Sequence, residues 1–359
     1  MAAGSSNPTF TNAGTLAKIA GTGVSNVAID VNDSGAVVAY TGTLEFSGPT
    51  NTFTGTIQGA GTVLFGGGAS AIGSGAKVSV SHWSISGTGT SATLGENLFY
   101  SGAFSEGAGS VLSLTGGYLA LTGSASLAGT VNGSNRVYTE GTTTVSGLTI
   151  GGTAILENTA FTTQSGGGLA LGDSSGAAAF LSNTSKATYD IADNSGIGHG
   201  ASKATYINNT GLFEKTGGTG TSTISPSLYN AGTVSVSSGL LDFAGAVSGT
   251  GADTISGAAT LEFDSTLGSG QTINFTGSGG QLDILNPQGF LGKIANFGAT
   301  DTLEVAGPWV FEGFTQQTGM GTLNFANGSN DIAITLLGTY TGSFGHAPGP
   351  NGSTLITYS

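Results

Sequence analysis

The feature that most constrains this chain is an internal repeat: residues 12–48 and 209–245 align with each other without a gap. The two copies share charged, branched and aromatic residues as well as glycines. Identical pairs include Asn12/Asn209, Lys18/Lys215, Leu44/Leu241 and Phe46/Phe243. The similarity continues beyond these segments with small changes in the offset between the copies, so the duplication covers about 10–80 and 209–275. Such a repeat predicts an architecture of stacked units and does not predict a chemistry.

Composition favours β-structure. Glycine accounts for 66 of the 359 residues and charged residues for only 8%, so residues that favour helices are scarce. The hydrophobic residues, 38% of the chain, recur at regular short spacings and can line a core, which favours a folded chain over a flexible linker. A solenoid continues as one unit whatever its length.

A first short phrase places an apolar or aromatic residue shortly before an asparagine and a small turn residue. Its asparagines include Asn158, Asn183, Asn209 and Asn230, which are 21 to 26 residues apart. This spacing matches one coil of three short strands and three corners. Asparagine and glycine tolerate the left-handed backbone of tight corners, so we expect these asparagines at corners of neighbouring coils.

A second phrase alternates apolar, polar and apolar residues. It occurs at 44–46, 241–243, 261–263, 273–275, 282–284, 303–305 and 323–325. Because side chains alternate along a strand, the apolar pair is expected to point inward and the central acid or amide to point to solvent.

These patterns predict an all-β protein, a parallel β-solenoid over residues 1–285, followed by C-terminal rungs or a cap over 286–359. The last segment differs in composition, because most of the prolines and Trp309 lie there. Open ends of a solenoid expose unpaired backbone groups and need a cap or a partner. Tandem β-sandwiches remain the alternative fold, since they also use short strands and glycine turns.

Charge excludes several partners. The net charge is −13, from 20 acidic and seven basic residues, so no basic stripe for nucleic acid exists and an anionic membrane surface would repel the chain. Cysteine is absent, and no apolar stretch approaches the ~20 residues of a transmembrane segment. The first residues lack the pattern of a secretory leader, which predicts an export signal elsewhere or an excised fragment.

The sequence of residues 208–224 and 230–243 resembles the β-strand repeats of large secreted bacterial surface proteins, of the adhesin and autotransporter-passenger kind. Segments 268–275, 290–294 and 336–340 extend the likeness to most of the chain. The resemblance implies a right-handed parallel β-helix and an extracellular role in adhesion or matrix structure. The shared residues are those of corners and core, so the resemblance implies no particular binding site.

Candidate chemistry is sparse, and we predict no catalytic, cofactor-binding or metal-binding residues. Asp242 and Glu262, twenty residues apart, are a carboxylate pair of the kind that polysaccharide-cleaving β-helices use, but their place in the second phrase favours solvated surface. Residues 248–256 resemble one calcium-binding nonapeptide, with Asp253 as the carboxylate ligand, although a glycine corner explains the same residues.

The three histidines, His82, His199 and His346, have no metal-binding spacing. His82 precedes Trp83, whose indole face is suited to a sugar ring, but a lone tryptophan in a β protein is more often packed in the core. Threonines at alternate positions in 50–56 and 219–223 lie too far apart to build an ice-binding plane.

The sequence therefore predicts a non-enzymatic, extracellular structural or adhesive solenoid of a bacterial surface or matrix, without a cofactor. One alternative is a self-assembling filament or layer subunit, which associates head to tail through its end rungs. The other is a polysaccharide-binding or polysaccharide-cleaving β-helix, with cell-surface or matrix glycans as partners.

Overall fold

The structure is a computed structural model that describes residues 8–359. The described chain is 55% strand and winds into about 14 turns of β-solenoid in all. Between residues 8 and 359 no α-helix occurs, and the only helical segments are two 3₁₀ turns, Pro287–Gly289 and Pro350–Gly352. None of these segments is long or apolar enough to cross a bilayer. The predicted all-β solenoid is confirmed.

The chain forms two compact units. Unit 1 comprises residues 8–162, 166–181 and 200–203, and unit 2 comprises residues 163–165, 182–199 and 204–359.

The strands are short, and most have three or four residues. Up to residue 158 they are β1 (Thr9–Asn12), β2 (Thr15–Lys18), β3 (Val24–Val27), β4 (Asp30–Asp33), β5 (Ala36–Ala39), β6 (Thr43–Phe46), β7 (Thr50–Phe53), β8 (Thr56–Phe65), β9 (Ala69–Ile72), β10 (Lys77–Ile85), β11 (Ser91–Leu94), β12 (Leu98–Tyr100), β13 (Ala103–Glu106), β14 (Val111–Leu114), β15 (Leu119–Leu121), β16 (Ala125–Leu127), β17 (Thr130–Gly133), β18 (Arg136–Thr139), β19 (Thr143–Val145), β20 (Thr149–Ile150) and β21 (Ile155–Asn158).

The chain continues with β22 (Phe161–Gln164), β23 (Leu169–Leu171), β24 (Phe180–Asn183), β25 (Thr188–Ile191), β26 (Ile197–His199), β27 (Tyr206–Asn209), β28 (Leu212–Lys215), β29 (Thr221–Ile224), β30 (Ser227–Asn230), β31 (Thr233–Val236), β32 (Leu240–Phe243), β33 (Val247–Ser248), β34 (Ala252–Ser256), β35 (Thr260–Phe263), β36 (Thr272–Thr276), β37 (Gln281–Ile284), β38 (Lys293–Ala295), β39 (Thr302–Val305), β40 (Val310–Gln317), β41 (Met320–Asn327), β42 (Asn330–Leu337), β43 (Phe344–Pro348) and β44 (Thr354–Tyr358).

In unit 1 each strand pairs in parallel with the strand one coil later. One face runs β1–β4–β7–β9–β11–β14–β17–β20–β23. A second runs β10–β13–β16–β19, and a third runs β12–β15–β18–β21. The long strand β8 pairs with both β5 and β6, so it turns a corner without ending.

Unit 2 repeats the parallel scheme and then changes it. Its faces run β26–β29–β32–β35–β37–β39, β25–β28–β31–β34–β36–β38 and β27–β30–β33. After β39, the strands β40, β41 and β42 pair antiparallel, as do β43 and β44. Parallel pairing therefore continues past residue 286 to β38 and β39, and antiparallel pairing begins with β40, inside the segment that the sequence set apart.

The apolar positions of the second phrase point inward, as predicted. Phe46 in unit 1 and Phe243 in unit 2 are both buried. Inside unit 1 the rings of Phe53 and Phe65 stack with centroids 5.2 Å apart, and inside unit 2 those of Phe243 and Phe263 stack at 5.7 Å. Each coil thus buries its apolar side chains against the coils next to it.

The corner asparagines act through their side chains. Asn158, Asn183, Asn209 and Asn230 each end a strand and are fully buried. In unit 2 the Nδ2 of Asn183 donates to Oδ1 of Asn209 at 2.8 Å, and Nδ2 of Asn209 donates to Oδ1 of Asn230 at 2.9 Å.

These asparagines end strands, as expected of residues at corners, but they do not themselves adopt the left-handed backbone that asparagine tolerates. Apart from glycine, only Asn296 and Asn351 have positive φ within residues 8–359. Glycines such as Gly218 and Gly239 occupy the left-handed positions, because they lack the Cβ that clashes there.

Candidate functional site

Unit 2 carries a row of carboxylates on its β32–β35–β37–β39 face. The register places Asp242 beside Glu262, Glu262 beside Asp283, and Asp283 beside Glu304. Adjacent parallel strands lie about 4.8 Å apart, so the row stacks four acids on successive coils. Asp264 follows β35 directly and joins the row at its side. We call these five residues the acidic row.

The acidic row is less solvated than the sequence predicted. Asp242 is only 6% exposed and Asp283 only 7%, while Glu262 is half-buried. The expectation that the central acid of the phrase points freely to solvent is therefore wrong for Asp242 and Asp283. Neighbouring strands stack their side chains against one another, and this covers much of each carboxylate.

Burial and mutual repulsion change the titration of the acidic row. Burial, followed by the carboxylates of Asp242, Asp264, Asp283 and Glu304, raises the pKa of Glu262 to about 7. These neighbours all carry the same sign of charge as Glu262.

Other members of the row shift in the same direction. Burial, with a smaller contribution from Glu304, raises the pKa of Asp283 to about 6. Burial also raises the pKa of Asp242; a hydrogen bond from the hydroxyl of Thr223 opposes this increase, and the carboxylate of Asp264 adds to it. Holding several carboxylates side by side therefore disfavours their charged forms.

The acids differ in their hydrogen-bond partners. Gln281 Nε2 donates to Asp283 Oδ1 at 2.8 Å, and Ser353 Oγ donates to Glu304 Oε1 at 2.7 Å. In contrast, Oδ1 of Asp242 is buried and has no hydrogen-bond partner within residues 8–359. One carboxylate oxygen of each of Asp242, Glu262 and Asp264 lies within 4.8 Å of the others.

Two chemical uses fit such a group of oxygens. Glycoside hydrolases use two neighbouring carboxyl groups as catalytic residues, and one of the two has a raised pKa. A hydrolase must also hold its substrate around the pair, whereas the acidic row lies on the outward side of a parallel sheet. Binding of a hard cation requires only converging oxygens, so it is the better fit.

Asp253, the carboxylate of the nonapeptide-like stretch, lies inside unit 2 and is fully buried. Its Oδ1 accepts a hydrogen bond from Asn230 Nδ2 at 3.1 Å, and burial raises its pKa to about 7. Its neighbours are thus the amides of the interior rather than solvent.

Within residues 8–359 no histidine belongs to a group of three or more metal-ligating side chains. His82, His199 and His346 are all exposed. Trp83 is fully buried, and its ring centroid lies 4.9 Å from that of Phe104. Trp83 therefore belongs to the core of unit 1, and its indole face is not presented to a ligand.

Unit 1 has a row of surface aromatic residues that the sequence did not reveal. The ring centroids of Phe99 and Tyr118 are 5.4 Å apart, and those of Tyr118 and Tyr138 are 5.3 Å apart. Phe99 is 64% exposed, and both tyrosines are half-buried. The register aligns Phe99, Ala120 and Tyr138 on successive strands β12, β15 and β18. We call Phe99, Tyr118 and Tyr138 the aromatic row.

Polar groups border the aromatic row. Glu157 lies beside Tyr138 in the register, and Arg136 forms an ion pair with Glu157. On the other side, Asn97 Oδ1 accepts a hydrogen bond from the backbone N–H of Tyr118 at 3.2 Å. Flat rings flanked by donors and acceptors form a surface suited to a ligand with both apolar and hydroxyl-bearing faces.

Part of these sites is visible in the sequence. The spacing pairs Asp242 with Glu262, and the structure places them side by side. The recurrence of an acid at the centre of the second phrase is the signal that would have joined Asp283 and Glu304 to them. The aromatic row left no such signal, because Tyr118 lies outside a strand.

The chain has no recognisable relatives in two comparisons. No protein-family model matches it, and no curated protein matches it.

Proposed function

We propose that this chain is a non-enzymatic structural and adhesive β-solenoid of a bacterial surface or extracellular matrix, and that it adheres to glycans through the aromatic row. The observation that carries the proposal is the row of adjacent rings that Phe99, Tyr118 and Tyr138 form on the surface of unit 1. A contiguous aromatic patch at a protein surface marks a place where a partner binds. Phe99 and Tyr138 lie on strands of a hydrogen-bonded sheet and Tyr118 directly precedes one, so the rings are presented without a large ordering cost.

The charge of the chain supports a neutral glycan rather than an acidic one. The net charge of −13 repels uronic and sulfated sugars. Pyranose rings present C–H groups that pack on aromatic faces, and their hydroxyl groups can hydrogen-bond to Arg136 and Glu157 at the edge of the row. The resemblance to secreted surface proteins supports the same role.

Co-sedimentation with insoluble neutral polysaccharides, among them a β-glucan and chitin, tests this function. We expect the unmodified protein to bind and a variant with Phe99, Tyr118 and Tyr138 all changed to Ala to lose binding. The control is Tyr40→Ala, which removes another exposed aromatic residue of unit 1, 59% exposed and outside the row. Equal binding by all three proteins would overturn adhesion through the row. Release of reducing ends from any polysaccharide would overturn the non-enzymatic assignment.

A filament or layer subunit is a second candidate, favoured by the first coil. Within residues 8–359, β1, β2 and β3 have a paired strand on one side only. Ile19 and Val24 of this coil are 76% and 61% exposed. An open edge of parallel strands can pair with another chain.

Light scattering at increasing protein concentration tests the filament candidate. Polymerisation predicts an apparent molar mass from light scattering that rises with concentration, and that rises less in the double variant Ile19→Lys, Val24→Lys, because the added charges oppose close approach of a second chain. An apparent molar mass that stays at the monomer value at every concentration would remove this candidate.

A further inference from the structure

The acidic row contains a feature that neither adhesion nor folding explains. Asp242 is more than nine-tenths buried, yet its Oδ1 has no hydrogen-bond partner within residues 8–359. Leaving a buried carboxylate oxygen without a donor costs free energy, about 1–3 kcal/mol or more for a charged group. In addition, the carboxylates of Glu262 and Asp264 are its neighbours, and they repel it.

Asp253 provides a contrast within the same unit. One oxygen of each of Asp253 and Asp242 is buried without a partner, and each side chain also has a hydrogen-bonding neighbour, Asn230 for Asp253 and the hydroxyl of Thr223 for Asp242. Asp253 lies among neutral amides, since Asn230 also donates to Gln271. Within residues 8–359, only at Asp242 does an unpartnered, buried oxygen belong to a residue whose carboxylate lies close to two others.

We propose that Asp242, Glu262 and Asp264 form a binding site for a divalent cation of the Ca²⁺ class. Calcium is bound by oxygen atoms about 2.3–2.6 Å away, so oxygens on opposite sides of one ion lie about 4.6–5.2 Å apart. The three oxygens of the site, mutually within 4.8 Å, are therefore close enough to contact a single ion.

The site is graded from buried to open. Asp242 is buried, Glu262 is half-buried and Asp264 is exposed, so an ion can enter from solvent on the side of Asp264 and keep water ligands there. Irregular coordination completed by water suits Ca²⁺ better than Mg²⁺, which requires a near-ideal octahedron at shorter distances. A bound cation supplies the missing partner of Asp242 and offsets the repulsion along the row.

This inference does not depend on the proposed function, because unit 2 carries the cation site and unit 1 carries the aromatic row. The two can therefore fail independently. Loss of glycan binding in the aromatic variants says nothing about Ca²⁺, and a missing Ca²⁺ site leaves adhesion intact.

The test is isothermal titration of the full chain, freed of metal by a chelator, with CaCl₂ and separately with MgCl₂. We compare the unmodified protein with Glu262→Gln, which keeps the side-chain size but removes one charged ligand. Glu45→Gln is the matched control, since Glu45 occupies the central place of the same phrase in the first copy. Far-ultraviolet circular dichroism confirms that each variant is folded.

We expect Ca²⁺ to bind the unmodified protein more tightly than Mg²⁺ and to raise its melting temperature. In Glu262→Gln the Ca²⁺ affinity should fall about tenfold or more, because affinity follows the number of charged ligands. Glu45→Gln should bind as the unmodified protein does. The proposal is overturned by an absence of Ca²⁺ binding at millimolar concentration, or by equal losses in the two variants.

Discussion

The two copies of the internal repeat share their local structure but differ in what lies beside it. In the first copy Glu45 lies between Asn26 and Leu64 on the neighbouring coils. In the second copy the corresponding residue, Asp242, lies between Thr223 and Glu262. The same strand therefore carries an isolated acid in one copy and the start of the acidic row in the other.

The hydrogen bonds inside the copies are conserved more closely. Asn12 Nδ2 donates to the carbonyl of Ala36 at 3.1 Å, and Asn209 Nδ2 donates to the corresponding carbonyl of Thr233 at 3.1 Å. The two lysines, Lys18 and Lys215, likewise each donate to the carbonyl two residues later. The comparison teaches that the repeat fixes corners and core, whereas lateral neighbours decide the chemistry of the surface.

The largest effect should come from the shared core. Phe46→Ala and Phe243→Ala each remove a buried ring, and we expect each to lower the free energy of unfolding by about 3–5 kcal/mol through the cavity left behind. Denaturant titration measures both. Costs that differ severalfold between the variants would show that the copies do not have equivalent interiors.

Removing a corner asparagine should affect stability differently in the two copies of the repeat. Asn209 is bonded to asparagines on both neighbouring coils, Asn183 and Asn230, whereas the side-chain partner of Asn12 is Asp33 on one side. We expect Asn209→Ala to cost about 2–3 kcal/mol and Asn12→Ala about 1–2 kcal/mol, since each orphaned buried group adds its own penalty. Thermal unfolding of the two variants measures the difference, and a larger cost at Asn12 would contradict it.

The acidic row predicts a pH dependence of unit 2. The pKa of Glu262 is raised from 4.5 to about 7, so the folded state keeps a proton that the unfolded state loses, and stability falls as pH rises through this range. In the presence of a chelator, Glu262→Gln should therefore stabilise the protein at pH 8 by about 1–2 kcal/mol and have little effect at pH 4.

Denaturant titrations at both pH values, with Glu45→Gln as the control, measure this effect. A stabilisation by Glu262→Gln that is equal at pH 4 and pH 8 would contradict the electrostatic origin.

The smallest effect should come from building a second acid pair in the first copy. Leu64→Glu places a carboxylate beside Glu45 in the register. Like charges on adjacent strands destabilise a sheet by about 0.2–1 kcal/mol. The loss of the leucine side chain is independent of pH, so the charge effect is the extra destabilisation at pH 8 relative to pH 4. If that difference is absent, lateral acids alone do not create the behaviour of the acidic row.

Much of the fold was predictable from local patterns. The apolar–polar–apolar phrase marks strands because side chains alternate along an extended chain, and Phe46 and Phe243 are buried as this rule requires. The recurrence of Asn183, Asn209 and Asn230 gave the length of a coil. The hydrogen bonds between these asparagines were not predictable, because the sequence does not distinguish an asparagine that turns the chain from one that bonds to the next coil.

The site was only partly predictable. Asp242 and Glu262 could be paired by their spacing, but their burial could not, since it depends on which strands flank them. The aromatic row was not predictable, because the ring of Tyr118, which lies outside a strand, meets those of Phe99 and Tyr138 on the neighbouring coils.

The sequence by itself determined the strands, the corners and the residues that face the core, because these follow from the conformational preferences and the period-two alternation of a short segment. Only the tertiary structure decided which polar side chains stand next to each other. Coil lengths vary from one turn to the next, so a residue's lateral neighbour depends on the register of pairing across about twenty residues rather than on its own strand. Register is set by the packing of the whole coil, and it places Glu262 beside Asp242 but Asn26 and Leu64 beside Glu45.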